Sequence, residues 1–372
     1  MLLHAAKLAD FARQQQATSV CCAPTMSDDP AEAHEALTDE VQTLLLELAG
    51  PSAKVTCVTP LIGGACQDNF QVDIVLDGAP QRLVLRRDAA SSIKGSVRRR
   101  QEFPVINAAV AAGVKTPAAR WMHEHDGVGG YFLDWAPGIA IGRVVVRNPE
   151  LADARKALVG QLAEQLARIH TITPQTHPDL PIGALAATFD GDPVESALAG
   201  MQAMFEEMHE PHPALELAYE WLSTHRPPTP EVTLVHGDFR TGNFLVGPEG
   251  LCALLDWEFT HWGSPEEDLA WLCVRDWRFG RLKHPVGGFA QRAEFYAAYE
   301  AASGRTLDPA VVHYWEIFGN VRWAAGCVYQ GERYLSGAQG DLELIAIARR
   351  AAEMEWEALR LIQTGPVMKE SS

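Results

Sequence analysis

The first third of the chain alternates apolar and polar residues, which is the pattern of strands buried on one face. The pair Asp77-Gly78 lies between two such runs and predicts a hairpin, and Asp126-Gly127 predicts a second one. A helical period runs from Asp39 to Gly50-Pro51, and another covers residues 97–112. The predicted strands are residues 54–60, 69–76, 81–87, 120–125 and 130–135. We therefore expect a small antiparallel sheet with one internal helix.

After Pro137-Gly138 the apolar spacing becomes helical. One β-rich island, residues 232–258, interrupts this helical part. The predicted helices cover residues 151–170, 196–208, 214–223, 288–303, 309–334 and 341–362. The pattern predicts an α+β protein with a β-rich first lobe and a larger, mostly helical second lobe.

Composition and charge narrow the class of protein. The 372 residues are 47% hydrophobic and 21% charged, a balance typical of folded globular proteins. The net charge of −17 repels phosphate backbones and anionic membranes, which disfavours nucleic-acid binding. Residues 82–100, however, carry +6, which leaves −23 for the rest of the chain. The first lobe thus holds a local basic segment.

The seven cysteines show no C-x-x-C spacing, which disfavours both a zinc site and a disulfide framework. A reducing, cytoplasmic location is the expectation. We expect no membrane span, because no apolar run reaches the roughly 18–20 residues that one needs. Residues 1–37 are interpreted as a disordered extension without a signal peptide, and residues 365–372 as a tail.

The β-rich island carries the candidate chemistry. It reads LVHGDFRTGNFLV and continues, after a turn, to LLDWE. Asp238, Asn243 and Asp256 therefore follow or flank short buried strands. Such an oxygen-donor set suits Mg²⁺ shared with substrate phosphates, and an aspartate not bound to the ion can accept a proton from a hydroxyl. Turn hydrogen bonds are the alternative for Asp238 and Asn243, but the combination with Asp256 favours a site.

The spacing H-x-D-x-x-x-x-N is the catalytic-loop pattern of phosphoryl transfer. Here it resembles the aminoglycoside phosphotransferase and choline kinase superfamily, in which HGD replaces the HRD of protein kinases and an IDWE-like segment replaces DFG. The resemblance implies a bilobal protein-kinase-like fold, with lobes at residues 38–135 and 136–364. It also implies that Asp238 is the catalytic base, that Asn243 and Asp256 bind Mg²⁺, and that His236 braces the loop. Asp268 is expected to brace the loop or cap a helix.

The same resemblance assigns the nucleotide phosphates to the first lobe. Gly63 and Gly64 stand where the family has its nucleotide loop, although a plain turn is the alternative. Arg86 matches the strand residue that holds the phosphates, with Arg87 as a rival. Glu102 is expected to pair with Arg86. The alternative is a solvated helix face, on which Arg98 to Arg100 offer it other partners.

The joint between the predicted lobes matches Asp134, Trp135 and Ala136, where backbone groups would meet the adenine. The implied cofactors are ATP and Mg²⁺, with GTP as the alternative donor.

The acceptor is less constrained by the sequence. Arg275, Trp277 and Arg278 form a cationic, aromatic patch soon after Asp256, which suits an anionic acceptor. This segment resembles bacterial phosphotransferases related to the kinase-like domain fused to acyl-CoA dehydrogenases, a branch associated with hydroxyacyl-CoA phosphorylation. Ordinary ion pairs are the alternative for the arginines. The tryptophans between 257 and 277 are expected mainly in the core.

The predicted function is ATP-dependent transfer of the γ-phosphate to a hydroxyl of a small molecule, with a hydroxy acid or hydroxyacyl-CoA favoured over an aminoglycoside. The alternative is a nucleotide-binding pseudokinase that regulates a partner protein. A protein kinase is disfavoured because DFG and APE segments are absent from the sequence. The expected partner is the small-molecule acceptor, with neither nucleic acid nor membrane, and the oligomeric state is left open.

Overall fold

The computed structural model describes residues 30–61, 68–88, 95–125, 127–183, 192–228, 231–337 and 340–366. These residues form two compact units. The first comprises the described residues of Met1–Lys94, Arg98–Phe103 and Ala118–Trp135, and the second comprises the remainder. The division places one unit around the β-rich first third and the other around the helical part.

Unit 1 is built on a five-stranded antiparallel sheet with the strand order β1-β2-β3-β5-β4. Its strands are β1 (Lys54–Pro60), β2 (Asp68–Leu76), β3 (Ala79–Arg87), β4 (Ala119–His125) and β5 (Val128–Asp134). The two residues between β2 and β3 have positive φ, 51° at Asp77 and 79° at Gly78, as a tight hairpin turn requires. Both predicted strand pairs are confirmed.

Helix α1 (Pro30–Ala49) covers one face of this sheet. Val41 and Leu45 are fully buried and belong to the same apolar core as Val72 and Leu85. The helix begins at Pro30 and not at residue 39, so the predicted extension of residues 1–37 is too long by its last eight residues. Residues 1–29 lie outside the described part of the chain. Helix α2 (Arg99–Ala111) is the predicted internal helix.

Unit 2 is mainly helical and contains two small antiparallel sheets, which pair β6 with β9 and β7 with β8. These strands are β6 (Thr233–Val235), β7 (Phe244–Gly247), β8 (Gly250–Leu254) and β9 (His261–Gly263). The helices are α3 (Gly142–Arg147), α4 (Ala152–Ile169), α5 (Pro193–Glu206), α6 (Pro213–Thr224), α7 (Pro265–Trp271), α8 (Arg292–Ser303), α9 (Pro309–Leu335), α10 (Leu342–Ala348) and α11 (Ala351–Thr364). Short 3-10 turns occupy Pro149–Leu151 and Arg275–Arg278.

One predicted helix of unit 2 needs correction, and one strand of unit 2 was missed. Residues 341–362 do not form one helix, because a turn at Arg349 and Arg350 separates α10 from α11. Arg350 donates to Asp276 across a Nε–Oδ1 distance of 2.7 Å, a tertiary contact that the helical period could not reveal. Strand β9 was not predicted, because three residues are too few for a period. Among the described residues, no helix combines the length and apolarity needed to cross a bilayer.

Candidate active site

The HGD segment begins where β6 ends, and its central glycine is required by the backbone. Gly237 has a φ of +77°, and a Cβ atom there would lie 2.1 Å from the carbonyl oxygen of Phe259. A larger residue would have to displace that backbone. The turn therefore presents Asp238 at the end of a buried strand, as the sequence predicts.

Asp268, in α7, fixes this turn through hydrogen bonds to its backbone. Its carboxylate accepts the backbone N–H of His236 (2.8 Å) and that of Gly237 (3.0 Å), and it lies 3.4 Å from His170 Nε2. Burial alone would raise the pKa of Asp268, but the hydrogen bond and charge of His170, together with His236, hold that pKa below its usual value. Asp268 is a loop brace, whereas Ser264 occupies the cap of α7.

His236 supports the loop with its ring. Its Nδ1 accepts the backbone N–H of Asp238 at 3.3 Å, so its Nε2 carries the proton and donates to the carbonyl of Leu255 at 3.1 Å. One imidazole ring thus connects the catalytic loop with the residue that precedes Asp256. These contacts agree with the predicted bracing role.

The Asp238 carboxylate receives hydrogen bonds from three side chains. Arg240 Nε lies 3.0 Å from each carboxylate oxygen, Trp271 Nε1 donates to Oδ1 at 2.8 Å, and Asn243 Nδ2 donates to Oδ2. All three groups are donors, which is the environment of a carboxylate and not of a carboxylic acid. Asp238 is therefore oriented by the protein and able to accept a proton.

Asn243 and Asp256 are brought together by the pairing of β7 with β8. Phe244 pairs with Leu254, and the next backbone bond runs from Leu255 N–H to Asn243 O at 2.8 Å. Asp256 follows directly, with a φ of 68° in the left-handed region that side-chain-bearing residues seldom adopt. The Nδ2 of Asn243 is committed to Asp238, so Oδ1 is its remaining acceptor.

The donor set fits a Mg²⁺ ion. An amide oxygen from Asn243 and a carboxylate from Asp256 are the hard oxygen ligands that this ion prefers, and two protein ligands leave positions for substrate phosphates. The strained backbone at Asp256 is of the kind that clusters at functional sites.

Unit 1 contains the residues predicted to hold the nucleotide phosphates. Glu102 is fully buried, and its Oε1 lies 3.4 Å from Arg86 Nη2 while its Oε2 pairs with Arg99. Glu102 therefore bridges the predicted partner Arg86 and its helix neighbour Arg99, and its burial contradicts the alternative of a solvated helix face. Arg87, the rival for this role, pairs instead with Glu40 of α1 at 2.6 Å.

The remaining predicted nucleotide contacts are only partly described. Asp134 ends β5, and its carboxylate pairs with Arg120 Nε at 2.7 Å. The ring of Trp135 faces Arg82, with 5.2 Å between Cζ and the ring centroid. Ala136 belongs to unit 2, and Gly63 and Gly64 lie outside the described residues. Their contacts with a nucleotide stay predictions.

A family model described as the phosphotransferase enzyme family matches residues 58–307. The chain belongs to this family. Together with the catalytic-loop geometry, this match confirms the predicted superfamily and the predicted class of enzyme, a phosphotransferase.

Curated relatives of this phosphotransferase are larger proteins. Acyl-CoA dehydrogenase family member 10 of Mus musculus is 28% identical over 207 residues, which are 53% of this chain and 18% of the relative. Acyl-CoA dehydrogenase family member 11 of Homo sapiens is 28% identical over 198 residues, 51% of this chain and 25% of the relative. The chain thus spans about a fifth to a quarter of the curated relatives it matches.

Solved structures establish the fold. A putative aminoglycoside phosphotransferase from Ralstonia eutropha superimposes with a TM-score of 0.66 at 21% identity, covering 87% of this chain and 98% of that one. An aminoglycoside phosphotransferase in ternary complex with AMP-PNP and hygromycin B gives 0.59 at 15% identity, with 88% and 98% covered. Plasmodium vivax ethanolamine kinase gives 0.59 at 12%, with 90% and 95% covered. The predicted kinase-like α+β fold is confirmed.

The predicted acceptor contacts of this phosphotransferase need correction. Arg278 has a side chain only 4% exposed, donates twice to the carbonyl of Cys273 (2.7 and 3.1 Å), and pairs with Glu316 and Glu357. Arg275 pairs with Glu357 at 3.3 Å. The prediction that they bind the acceptor is wrong for Arg278, and Arg275 is likewise held by a carboxylate.

Trp277, the third predicted acceptor residue, does lie beside the catalytic loop. Its ring packs under Arg240, with 4.5 Å from Cζ to the ring centroid, and Arg240 contacts Asp238. Arg240 and Trp271 were missed by the sequence interpretation, although Arg240 follows Asp238 by two positions. Its closeness to Asp238 in the sequence could have identified Arg240. Nothing in the sequence around Trp271 indicates its contact with Asp238.

The Glu357 ion pairs make a testable contribution to stability. Burial alone would raise the pKa of Glu357, but the hydrogen bond from Arg360 and the charges of Arg278, Arg360 and Arg275 lower that pKa to about 2. Because the folded pKa lies below the unfolded one, the stabilisation is complete above about pH 4.5 and is lost as the pH falls toward 2. A shift of this size corresponds to on the order of 3 kcal/mol.

We therefore expect Glu357→Gln to lower the free energy of unfolding by on the order of 3 kcal/mol at neutral pH. The difference from the wild type should shrink as the pH falls from about 4.5. Urea unfolding at a series of pH values measures this difference. Glu164→Gln, which removes the exposed partner of Arg168, is the matched control and should change stability by less than about 1 kcal/mol. A difference that stays constant with pH would contradict the prediction.

Proposed function

We propose that this chain transfers the γ-phosphoryl group of ATP, with Mg²⁺, to a hydroxyl group of a small molecule. The observation that carries the proposal is the Asp238 carboxylate, which three donors orient at the end of β6, with Asn243 and Asp256 on the adjoining strand pair. Phosphoryl transfer depends on positioning and charge stabilisation more than on covalent chemistry by the protein. A rigid loop of this kind provides the positioning.

Asn243 Oδ1 and the Asp256 carboxylate would hold the metal ion. When bound, Mg²⁺ neutralises the charge that develops on the transferred phosphoryl group. The protein contributes the spacing of the two ligands, because the bond between Leu255 and Asn243 fixes one strand end against the other. His236 adds to this by tying the loop to the carbonyl of Leu255.

Asp238 would accept the proton of the acceptor hydroxyl. As that O–H bond breaks, the hydroxyl oxygen forms a bond to the γ-phosphorus, and the bond from that phosphorus to the bridging oxygen breaks with its electron pair leaving on ADP. Asp238 is held by donors only, so its oxygens are oriented before the acceptor arrives. The products are ADP, the phosphate ester and one proton.

Arg86 would hold the phosphates of the nucleotide, and Glu102 would hold Arg86. A guanidinium can contact two phosphate oxygens at once, and its pairing with a buried carboxylate fixes its direction. Arg99 shares Glu102, so the local charge of the three groups is positive. Gly63 and Gly64, and the backbone of Asp134, Trp135 and Ala136, complete the proposed nucleotide contacts.

The favoured acceptor is a hydroxy acid or a hydroxyacyl-CoA. Support comes from the curated relatives, which are named as acyl-CoA dehydrogenase family members. An aminoglycoside is less favoured because a cationic side chain, Arg240, already contacts the base itself. The net charge of −17 alone would have favoured a cationic acceptor.

The test is an acceptor panel on the purified protein, with ADP release as the readout. The panel contains hydroxy acids, hydroxyacyl-CoAs, kanamycin, choline and homoserine, each with and without EDTA. We expect metal-dependent turnover with at least one member and its loss in Asp256→Asn. Tight ATP binding without turnover on any acceptor would favour the pseudokinase and reject the proposal.

A further inference from the structure

One guanidinium beside the catalytic loop is poorly satisfied. Arg322, on α9, makes a single hydrogen bond within the described residues, from Nη1 to the carbonyl of Gly237 at 3.5 Å. Its ion pair with Glu267 is also long, at 3.6 Å, and its side chain is 14% exposed. A guanidinium carries five N–H donors, so most of its capacity is unused by these contacts.

The carboxylate nearest to Arg322 is already shared. Glu267 lies 3.2 Å from His261 Nε2 through both of its oxygens. Burial lowers the pKa of Arg322, and the charges of Glu267, Asp238 and Asp268 compensate only in part. A partly buried cation of this kind favours an additional anion, since pairing offsets the cost of its desolvation.

Arg322 and Asp238 meet on the same tryptophan. The Arg322 Cζ lies 4.9 Å from the centroid of the Trp271 ring, and the indole N–H of that ring donates to Asp238 Oδ1 at 2.8 Å. Arg322 also contacts the backbone of Gly237, the residue next to Asp238. An anion at Arg322 is therefore held close to the group that accepts the proton.

Arginine side chains already cover the tryptophan faces that could attract a cationic acceptor. Arg322 covers Trp271, and Arg240 covers Trp277 at 4.5 Å. Exposed tryptophan faces would attract an ammonium group, but these two faces already carry guanidinium groups. A cationic acceptor therefore gains less from these two rings than it would from open tryptophan faces.

We infer that Arg322 recognises a carboxylate of the acceptor and so makes the acceptor a hydroxy acid. This inference rests on the proposed function and deepens it, since it selects the free acid over the thioester. A bidentate contact would set the distance between the carboxylate and the hydroxyl that faces Asp238. Arg322 is a specificity-determining residue in this account.

The test compares each acid with its uncharged counterpart. The probes are 4-hydroxybutyrate against 1,4-butanediol, and 3-hydroxyoctanoate against 1,3-octanediol, in which a hydroxymethyl group replaces the carboxylate. Binding is measured by ligand-observed NMR with AMP-PNP and Mg²⁺ present, and turnover by ADP release with ATP. We expect the wild type to prefer one acid over its diol by roughly 10- to 100-fold, and Arg322→Gln to abolish the preference.

The control is Arg333→Gln, the same change on the same helix at an arginine that donates to Gln330 at 3.0 Å. It should keep the preference. Arg322→Met replaces the guanidinium by an apolar side chain that can still pack on Trp271, which keeps the test available if Arg322→Gln does not fold. It should lose the preference as well.

The outcomes separate the sources of the anion. An increase of the KM for ATP in Arg322→Gln as large as that for the acid would assign Arg322 to the nucleotide γ-phosphate and overturn the inference. Equal losses for acid and diol would show a structural role and overturn it too. A wild type that binds acids no better than diols rejects the inference even if another acceptor is turned over. Preferential acid binding without any turnover keeps the inference and rejects the proposed function.

Discussion

We expect Asp238→Asn to lower kcat by roughly 10²- to 10⁴-fold, which is the range that a positioned general base contributes. An amide cannot accept the proton of the acceptor hydroxyl. Its NH₂ group would also face donors, because Arg240, Trp271 and Asn243 all direct N–H groups at this side chain. Steady-state kinetics with an acceptor that the wild type phosphorylates measures kcat, and calorimetry measures the affinity for ATP.

The affinity for ATP should stay within about threefold, because the lost interaction forms in the transition state. Asp153→Asn is the matched control, since Asp153 is an exposed partner of Lys156 on α4 and should leave kcat unchanged. A variant at position 238 that retains more than about a tenth of the wild-type kcat would remove Asp238 from its role as the base.

Asp268→Asn should impair both stability and turnover. The carboxylate accepts two backbone N–H groups in the buried HGD turn and lies against His170, and an amide must turn an NH₂ group toward one of these donors. We expect a loss of about 3 kcal/mol in the free energy of unfolding, measured by urea titration. The turn that presents Asp238 should also loosen, which lowers kcat more than it raises the KM for ATP.

Asp308→Asn provides the control for this change. Asp308 caps α9 by accepting the N–H of Ala310 at 2.8 Å, and asparagine caps helices about as well as aspartate. Its stability should remain within about 0.5 kcal/mol of the wild type. Should Asp268→Asn unfold at the same urea concentration as Asp308→Asn, the brace is not needed for folding.

The elements that the sequence predicts correctly are those set by local chemistry. The Asp77-Gly78 turn needs positive φ at both residues, and the Asp-Gly pair in the sequence is typical of such a turn. The HGD…N loop is contiguous, so its spacing alone places Asp238 and Asn243 together. Asp256 could be added because one short hairpin separates it from Asn243.

The parts that could not be predicted depend on partners distant in sequence. A charge pattern shows Arg278 and Arg275 near Asp256, but the carboxylates that bind them are Glu316 on α9 and Glu357 on α11. Arg322 likewise reads as one polar residue of a long helix. Only the packing of α9 against α7 brings it over Trp271.

The left-handed backbone at Asp256 sets stability against activity at this position. Glycine would adopt this conformation without strain, whereas aspartate has a Cβ atom that opposes it. Glycine at position 256 is therefore expected to give a more heat-resistant protein, at the cost of the carboxylate that we propose as a metal ligand.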